Sequence, residues 1–358
     1  MPYCRNCGAK IDEDARYCRV CGTPVAPAAI YTKPPEPIPT GKQAQKTGFL
    51  LAGIVAIVIV VLLLIALIIA FLPVQPVRFS QSNEASDLNV DSLRLTLNAD
   101  VASINIMLRD LPENQRAAIN VSANGWRSIF GSDKPLALTF NEHRQGSTLE
   151  YSVDIMRTAG SASFNTLNVS CDVYVDPSVS IFTTITTSTG AIVMNADTEA
   201  SFQGIILRTT TGSVVANIKE GVVIEGDFSL ETTTGSAELL WNEAKVTGNV
   251  PVNVKATTGG LDVNITQNEQ IGGNMTLNAE TTTGGVNLAM SIKNDIGARI
   301  SASTGLGGID VNQQGFSGNQ VPIQSNNYPA GNNFDITLRA TTGGININVD
   351  YAIVGTRS

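Results

Sequence analysis

From residue 181 to residue 352, apolar and polar side chains alternate with period two, and the alternation breaks at regular intervals on a glycine. Taking Gly190, Gly212, Gly235, Gly259, Gly284, Gly307 and Gly343 as anchors gives spacings of 22, 23, 24, 25, 23 and 36 residues. Two residues after the anchors stand Ile192, Val214, Ala237, Leu261, Val286, Ile309 and Ile345. The positions four and six residues after the anchors are also apolar, with the single exception of Gln313. Five residues before the anchors come Ile185, Leu207, Leu230, Val254, Ala279, Ala302 and Leu338. Alternation on both sides of a glycine predicts two half-buried strands per repeat with a corner between them.

A period near 23 residues suits a β-solenoid, in which each coil adds a rung about 4.8 Å from the last. A row of hairpins is the alternative, although the recurring Thr-Thr-Thr-Gly is a weaker hairpin signal than Asn-Gly or Asp-Gly. The expected fold class is therefore mainly β: a β-solenoid (β-helix) of about 23-residue coils over 181–353. Residues 80–180 carry the same pattern less legibly, with Ala102 in the glycine's place. They read as irregular early coils capping the stack, or as a separate small β-sandwich.

Two outward columns add detail. Four residues before the anchors, Arg208, Glu231, Lys255 and Glu280 alternate in sign, as an exposed charge ladder would. Asn195, Asn217, Asn264, Asn312 and Asn348 share a second column, either stacked surface amides or a ligand-binding stripe. The interval before the last anchor is longer, and 313–333 reads as a polar loop exposing Phe316 and Tyr328, a recognition element or a tolerated insertion.

A different pattern occupies 49–72, which holds 19 Val, Ile, Leu or Phe residues and no charge. As one helix it would measure about 36 Å, enough for a bilayer core of about 30 Å. The expectation is a single transmembrane α-helix over 48–72. Lys33, Lys42 and Lys46 precede it and Arg78 follows. That asymmetry places the N-terminus in the cytoplasm and the C-terminal domain outside the cell, with a Pro-rich linker at 26–47.

Residues 1–25 contain Cys4, Cys7, Cys18 and Cys21, two C-x2-C pairs each followed by a glycine. Two such turns supply four thiolates in a tetrahedron, the closed site of one structural zinc ion (Zn2+) with no position open for catalysis. Two disulfides are the alternative. Some 25 residues cannot bury enough surface to fold unaided, so the metal would supply the fold. The stretch "YCRNCGAKIDEDARYCRVCG" resembles the short zinc ribbon at the N-terminus of many prokaryotic membrane proteins. The "T-T-T-G-x-hydrophobic-x-hydrophobic" units and "VYVDPSVSIFTTITTSTGAI" resemble the putative adhesin family of β-solenoid domains, of unknown function, over roughly 85–352. That resemblance implies a fold and a surface location, and no catalytic residues.

Charge narrows the partners. The chain has a net charge of −8, and before the apolar stretch seven basic residues stand against four acidic ones, so the negative charge belongs to the body that follows. An acidic, Asn- and Thr-rich body does not suit nucleic acid, because phosphate binding needs clustered Lys and Arg. No nucleophile–base pair is legible. Glu238 and Asp262 would sit on adjacent rungs, the one feature favouring a β-helical polysaccharide-active enzyme. His143 reads as an exposed loop residue, and Cys171 as a buried inert thiol. Four glycosylation sequons begin at Asn120, Asn168, Asn264 and Asn274, all facing outward by alternation. The function expected is a membrane-anchored, adhesin-like binding or display module and not an enzyme. Its partners would be the lipid bilayer, an unknown extracellular glycan or protein, and an unknown cytoplasmic protein meeting the ribbon.

Overall fold

A computed structural model describes residues 3–12, 15–24, 53–65, 75–87, 89–112, 114–127, 134–158, 167–293, 295–318 and 320–352. The chain divides into two compact units, Met1–Phe71 and Leu72–Ser358.

In the first unit, two short turns carry the cysteine pairs, each closed by an isolated bridge, Tyr3 with Lys10 and Tyr17 with Pro24. Ile11 packs with Cys4 and Cys18 in a core of three buried residues. The linker at 26–47 lies outside the described residues. The apolar stretch corrects the expectation built on it. Its described helix runs over 53–65, about 20 Å at 1.5 Å per residue, and falls short of a bilayer core of about 30 Å. Residues 48–52 and 66–72 lie outside the described residues. Among those described, no helix is long and apolar enough to cross a membrane. The single transmembrane helix, the single-pass localisation and the inside–outside orientation drawn from it are therefore withdrawn. Hydropathy counts apolar residues, whereas a span needs about 20 of them in one helix, and the described helix is 13 residues long.

The second unit is mainly β and holds two mixed sheets, one of 14 strands and one of 11. Each repeat gives the larger sheet the strand before its glycine and the smaller sheet the strand after it, as with Ala200–Thr211 and Val214–Ile218. Successive coils pair in parallel and in register: Leu207 faces Leu230, Leu230 faces Val254, and Val254 faces Ala279. These four are at most 1% exposed. Burying a side chain of the leucine or valine size is worth roughly 1.5–3 kcal/mol over leaving it in water, so register is fixed by the interior. One large polar contact is admitted there, where Trp241 Nε1 donates to Gln267 Oε1 at 2.9 Å, and Gln267 Nε2 to the Glu269 carbonyl at 3.0 Å.

The stack does not follow chain order at either end. The strands Asn332–Thr342 and Ile345–Ala352 lie between those of the Gly284 coil and those of the Gly307 coil. At the other end, Ser92–Val101 and Ser103–Leu108 lie between Thr148–Arg157 with Asn168–Val175 and the Gly190 coil. The physical reason is visible in the terminal coil. It carries Gln313 where other coils carry an apolar residue, and its Ala302, Ile309 and Val311 are only partly buried. The more apolar last coil slides inward, and the less apolar one takes the end, where one side of each rung has no neighbour. Antiparallel strands close both ends: Gln75–Ser86, Gln115–Arg127 and Leu136–Gln145 at one, Phe316–Ser317 and Ile323–Ser325 at the other.

The 313–333 segment is thus a cap and not an extended loop. Phe316 packs on the core, and the Tyr328 hydroxyl donates to Asp335 Oδ1 at 2.8 Å. His143 is exposed, but on the strand Leu136–Gln145 and not in a loop.

Candidate metal centre and recognition faces

The two cysteine turns repeat one another atom for atom. Gly8 N donates to the Cys4 carbonyl at 2.8 Å and Gly22 N to the Cys18 carbonyl at 2.8 Å. Cys4 N donates to the Ala9 carbonyl, and Cys18 N to the Thr23 carbonyl. Both glycines hold a left-handed φ, +73° and +71°, which brings each pair of thiols to one point. The sulfurs meet across the turns: Cys4 Sγ lies 3.6 Å from Cys21 Sγ, and Cys7 Sγ lies 3.6 Å from Cys18 Sγ. All four lie within 4.8 Å of one another. Zn–S bonds of about 2.3 Å in a tetrahedron place sulfurs about 3.8 Å apart, so the cluster fits the ion. A disulfide would need about 2.05 Å, and the thiols are free.

Their electrostatics agree. The Thr23 hydroxyl and amide draw the Cys21 thiol down to about 6. Cys7 is pushed up to about 12, because the Ala9 amide that favours its thiolate is outweighed by the neighbouring thiols and by burial. Four thiols at one point cannot all ionise together without a cation among them. The cluster is a potential zinc site.

On the second unit, the Thr-Thr-Thr-Gly text resolves into a division of labour. The anchor glycines take φ between +138° and +145°, and the corner of one coil lies against the corner of the previous one. A Cβ on Gly259 would stand 1.7 Å from the Gly235 carbonyl oxygen, a collision that only glycine avoids. The threonine three residues earlier turns inward and bonds to that stacked carbonyl: Thr209 Oγ1 to Gly190 O at 3.0 Å, Thr232 to Gly212 at 2.9 Å, Thr281 to Gly259 at 3.0 Å, and Thr304 to Gly343 at 2.9 Å. The next two threonines, such as Thr210 and Thr211, are exposed. Beside them runs a shallow concavity of about 440 Å³ lined by Arg208, Glu231, Lys255, Glu280 and Thr233, among others.

In space this charge column is longer than chain order shows, because Arg339 and not Ser303 follows Glu280. Five residues therefore alternate in sign. Arg208 Nε donates to Glu231 Oε2 at 2.8 Å. Burial alone would raise the Glu231 pKa, but hydrogen bonds from Arg208 and Ser229 outweigh it and hold the carboxyl below its ordinary value.

The face after the corner carries amide ladders. Asn287 Nδ2 donates to Asp262 Oδ1 at 2.7 Å and Asn346 Nδ2 to Asn287 Oδ1 at 2.9 Å. Asn217 donates to Asn195 at 3.4 Å, and Asn312 to Asn348 at 3.1 Å. Glu238 and Asp262 are direct cross-strand partners. Asp262 is already engaged by Asn287 in the ladder. Asn274, one of the sequon asparagines, is also tied in: it donates to Asn249 at 3.0 Å and accepts the Asn333 amide at 2.9 Å. Cys171 is fully buried, and burial pushes its thiol up to about 12.

The zinc-ribbon domain family matches residues 3–25. Comparison of the sequence with curated proteins gives no match. Among solved structures, the chain is similar to a putative cell adhesion protein from Clostridium sporogenes, at 15% identity and a TM-score of 0.38 over 77% of this chain and 100% of that one. It is also similar to a putative adhesin from Bacteroides fragilis, at 8% identity and a TM-score of 0.30 over 75% and 96%. A putative lipid binding protein from Parabacteroides distasonis aligns at 8% identity and a TM-score of 0.24 over 77% and 97%.

Proposed function

We propose that the second unit is a binding or display module and that the first is a zinc ribbon, Cys4, Cys7, Cys18 and Cys21 holding one structural Zn2+. One observation carries the first half of this reading. The outward columns are tied along the stack, Arg208 to Glu231 and Asp262 through Asn287 to Asn346, so the surface offers a fixed periodic lattice of hydrogen-bonding groups. A lattice in which Glu231 and Asp262 are held by their neighbours suits recognition. A glycosidase needs instead two carboxyls free to exchange protons across a bound sugar. Zinc would fix the ribbon's two turns as one rigid knob, and the exposed Tyr3, Tyr17 and Val20 on that knob suit contact with a protein partner.

The test is to present the full chain to glycan and protein arrays and score both retention and cleavage. The reading expects saturable retention of a ligand recovered intact. Turnover that Glu238→Gln or Asp262→Asn abolishes would establish the polysaccharide-active enzyme in its place.

A further inference from the structure

One aromatic side chain breaks the division between dry interior and polar exterior. Trp126 is 54% exposed, whereas Trp241 is 1% exposed. It stands near the end of the strand Gln115–Arg127, beyond the outward-facing Asn120, Ser122 and Asn124. The sheet register builds a platform around it. Pro76 pairs with Trp126, Arg78 with Asn124, and Asn124 with Asn168 on its other side. These residues, with Val77 and Gly125, line a concavity of about 430 Å³. Arg78, Asn124 and Asn168 are all exposed. Among the described residues, neither their side chains nor the Trp126 indole has a hydrogen-bond or ion-pair partner. That sets them apart from the asparagines of the ladders, whose amides bond to one another.

Strand geometry fixes the spacing. Residues two apart on a strand stand about 7 Å apart, and neighbouring strands about 4.8 Å. An exposed indole therefore sits one step along from a row, about 10 Å wide, of guanidinium, amide and amide. A flat apolar ring beside unpartnered donors and acceptors matches a pyranose, which has one C–H face and a rim of hydroxyls. The guanidinium adds a preference, because it takes a carboxylate in a paired, planar contact. We propose that this face binds an acidic, uronate-bearing glycan, its sugar ring over Trp126, its hydroxyls on Asn124 and Asn168, and its carboxylate on Arg78. The proposal rests on the reading of this unit as a binding module. The chain's net charge of −8 would repel an acidic polymer, so discrimination falls to Arg78.

The experiment titrates the full chain with trigalacturonate and with neutral galactotriose, reading tryptophan emission and calorimetric heat. Because Trp241 is buried, a ligand-dependent blue shift reports Trp126. The expected result is a saturable blue shift with trigalacturonate, lost together with binding in Trp126→Ala. Arg78→Gln weakens trigalacturonate about tenfold or more, and the wild-type chain binds galactotriose more weakly than the acid. Should Trp126→Ala fail to fold, the double variant Asn124→Ala with Asn168→Ala reads the same loss. Trigalacturonate bound equally well by Trp126→Ala overturns this site and leaves the binding-module reading standing. Equal affinity for the two sugars, or no binding of either, overturns the acidic-glycan assignment, whereas failure of the module reading itself would show as silence across the arrays.

Discussion

Replacing Gly259 by alanine tests the corner at its tightest point. The added Cβ would stand 1.7 Å from the Gly235 carbonyl oxygen and 2.6 Å from its carbon, with φ at +145°. Relief requires the two rungs to part by more than 1 Å of their roughly 4.8 Å spacing. The bonds at risk are Gly235 N to Thr258 O at 2.9 Å and Ala237 N to Gly260 O at 3.2 Å. Each is worth about 0.5–1.5 kcal/mol net. The disfavoured backbone adds about 1–3 kcal/mol. The sum is about 4 kcal/mol, a large share of the 5–15 kcal/mol that ordinarily holds a domain. At about 2–4 °C per kcal/mol for a unit of this size, the thermal midpoint should fall by roughly 8–16 °C. Gly260→Ala is the control. The nearest atom to its Cβ is the Gly285 carbonyl oxygen, at an ordinary 3.8 Å. Calorimetry of the two variants side by side decides the matter. Midpoints within about 2 °C of each other, a difference of about 1 kcal/mol or less, would refute the stacking explanation of the glycine column.

Other expectations follow from the same geometry. Thr232→Val removes the hydroxyl from the Gly212 carbonyl and should cost about 1 kcal/mol, whereas Ala256→Thr and Ala340→Thr, at the two corners that lack this bond, should each gain a similar amount in chemical denaturation. Glu231 titrates below its ordinary value of 4.5 in the folded chain, so its contribution is present above that pH and is lost as pH falls through the lower folded value. The midpoint difference between the wild-type chain and Glu231→Gln should therefore shrink on acidification and vanish in strong acid; a difference that grows would reverse the sign of the argument. Purified protein should carry one zinc per chain by elemental analysis, falling towards zero in Cys4→Ser or Cys18→Ser, and a full equivalent in either variant would remove those residues from the ligand set.

Where a residue's role depends on its nearest neighbours in sequence, the chain was readable. The columns flanking the glycines, the inward Leu207, Leu230, Val254 and Ala279, and the substitution of Ala102 for a glycine were all legible, because period two and a fixed repeat are local properties. The cysteine spacing likewise announced its cluster. Chain order, however, does not fix spatial order. Gln313 was the single polar exception among the inward positions, and its physical meaning, that its coil ends the stack, became plain only once the register of Asn332–Thr342 was known. The charge ladder was cut short for the same reason, since Arg339 is next to Glu280 across 59 residues of chain. The Trp126 platform was invisible because its parts, Arg78, Asn124 and Asn168, come from three strands with no common periodicity. The apolar stretch misled because composition alone does not establish a described helix of spanning length.

The account depends above all on in-register coils stacked in the order found, because that order creates every outward column. Cysteine pairs measure it directly. Glu280→Cys with Arg339→Cys joins adjacent rungs, as does Arg339→Cys with Ser303→Cys. Glu280→Cys with Ser303→Cys spans two rungs, about 9.6 Å, beyond the roughly 4.4–6.8 Å between Cα atoms that a disulfide tolerates. After mild oxidation, peptide mapping by mass spectrometry should find the first two cross-links and not the third. Cross-linking of 280 with 303, without cross-linking of 280 with 339, would mean that the coils stack in chain order and would contradict the account.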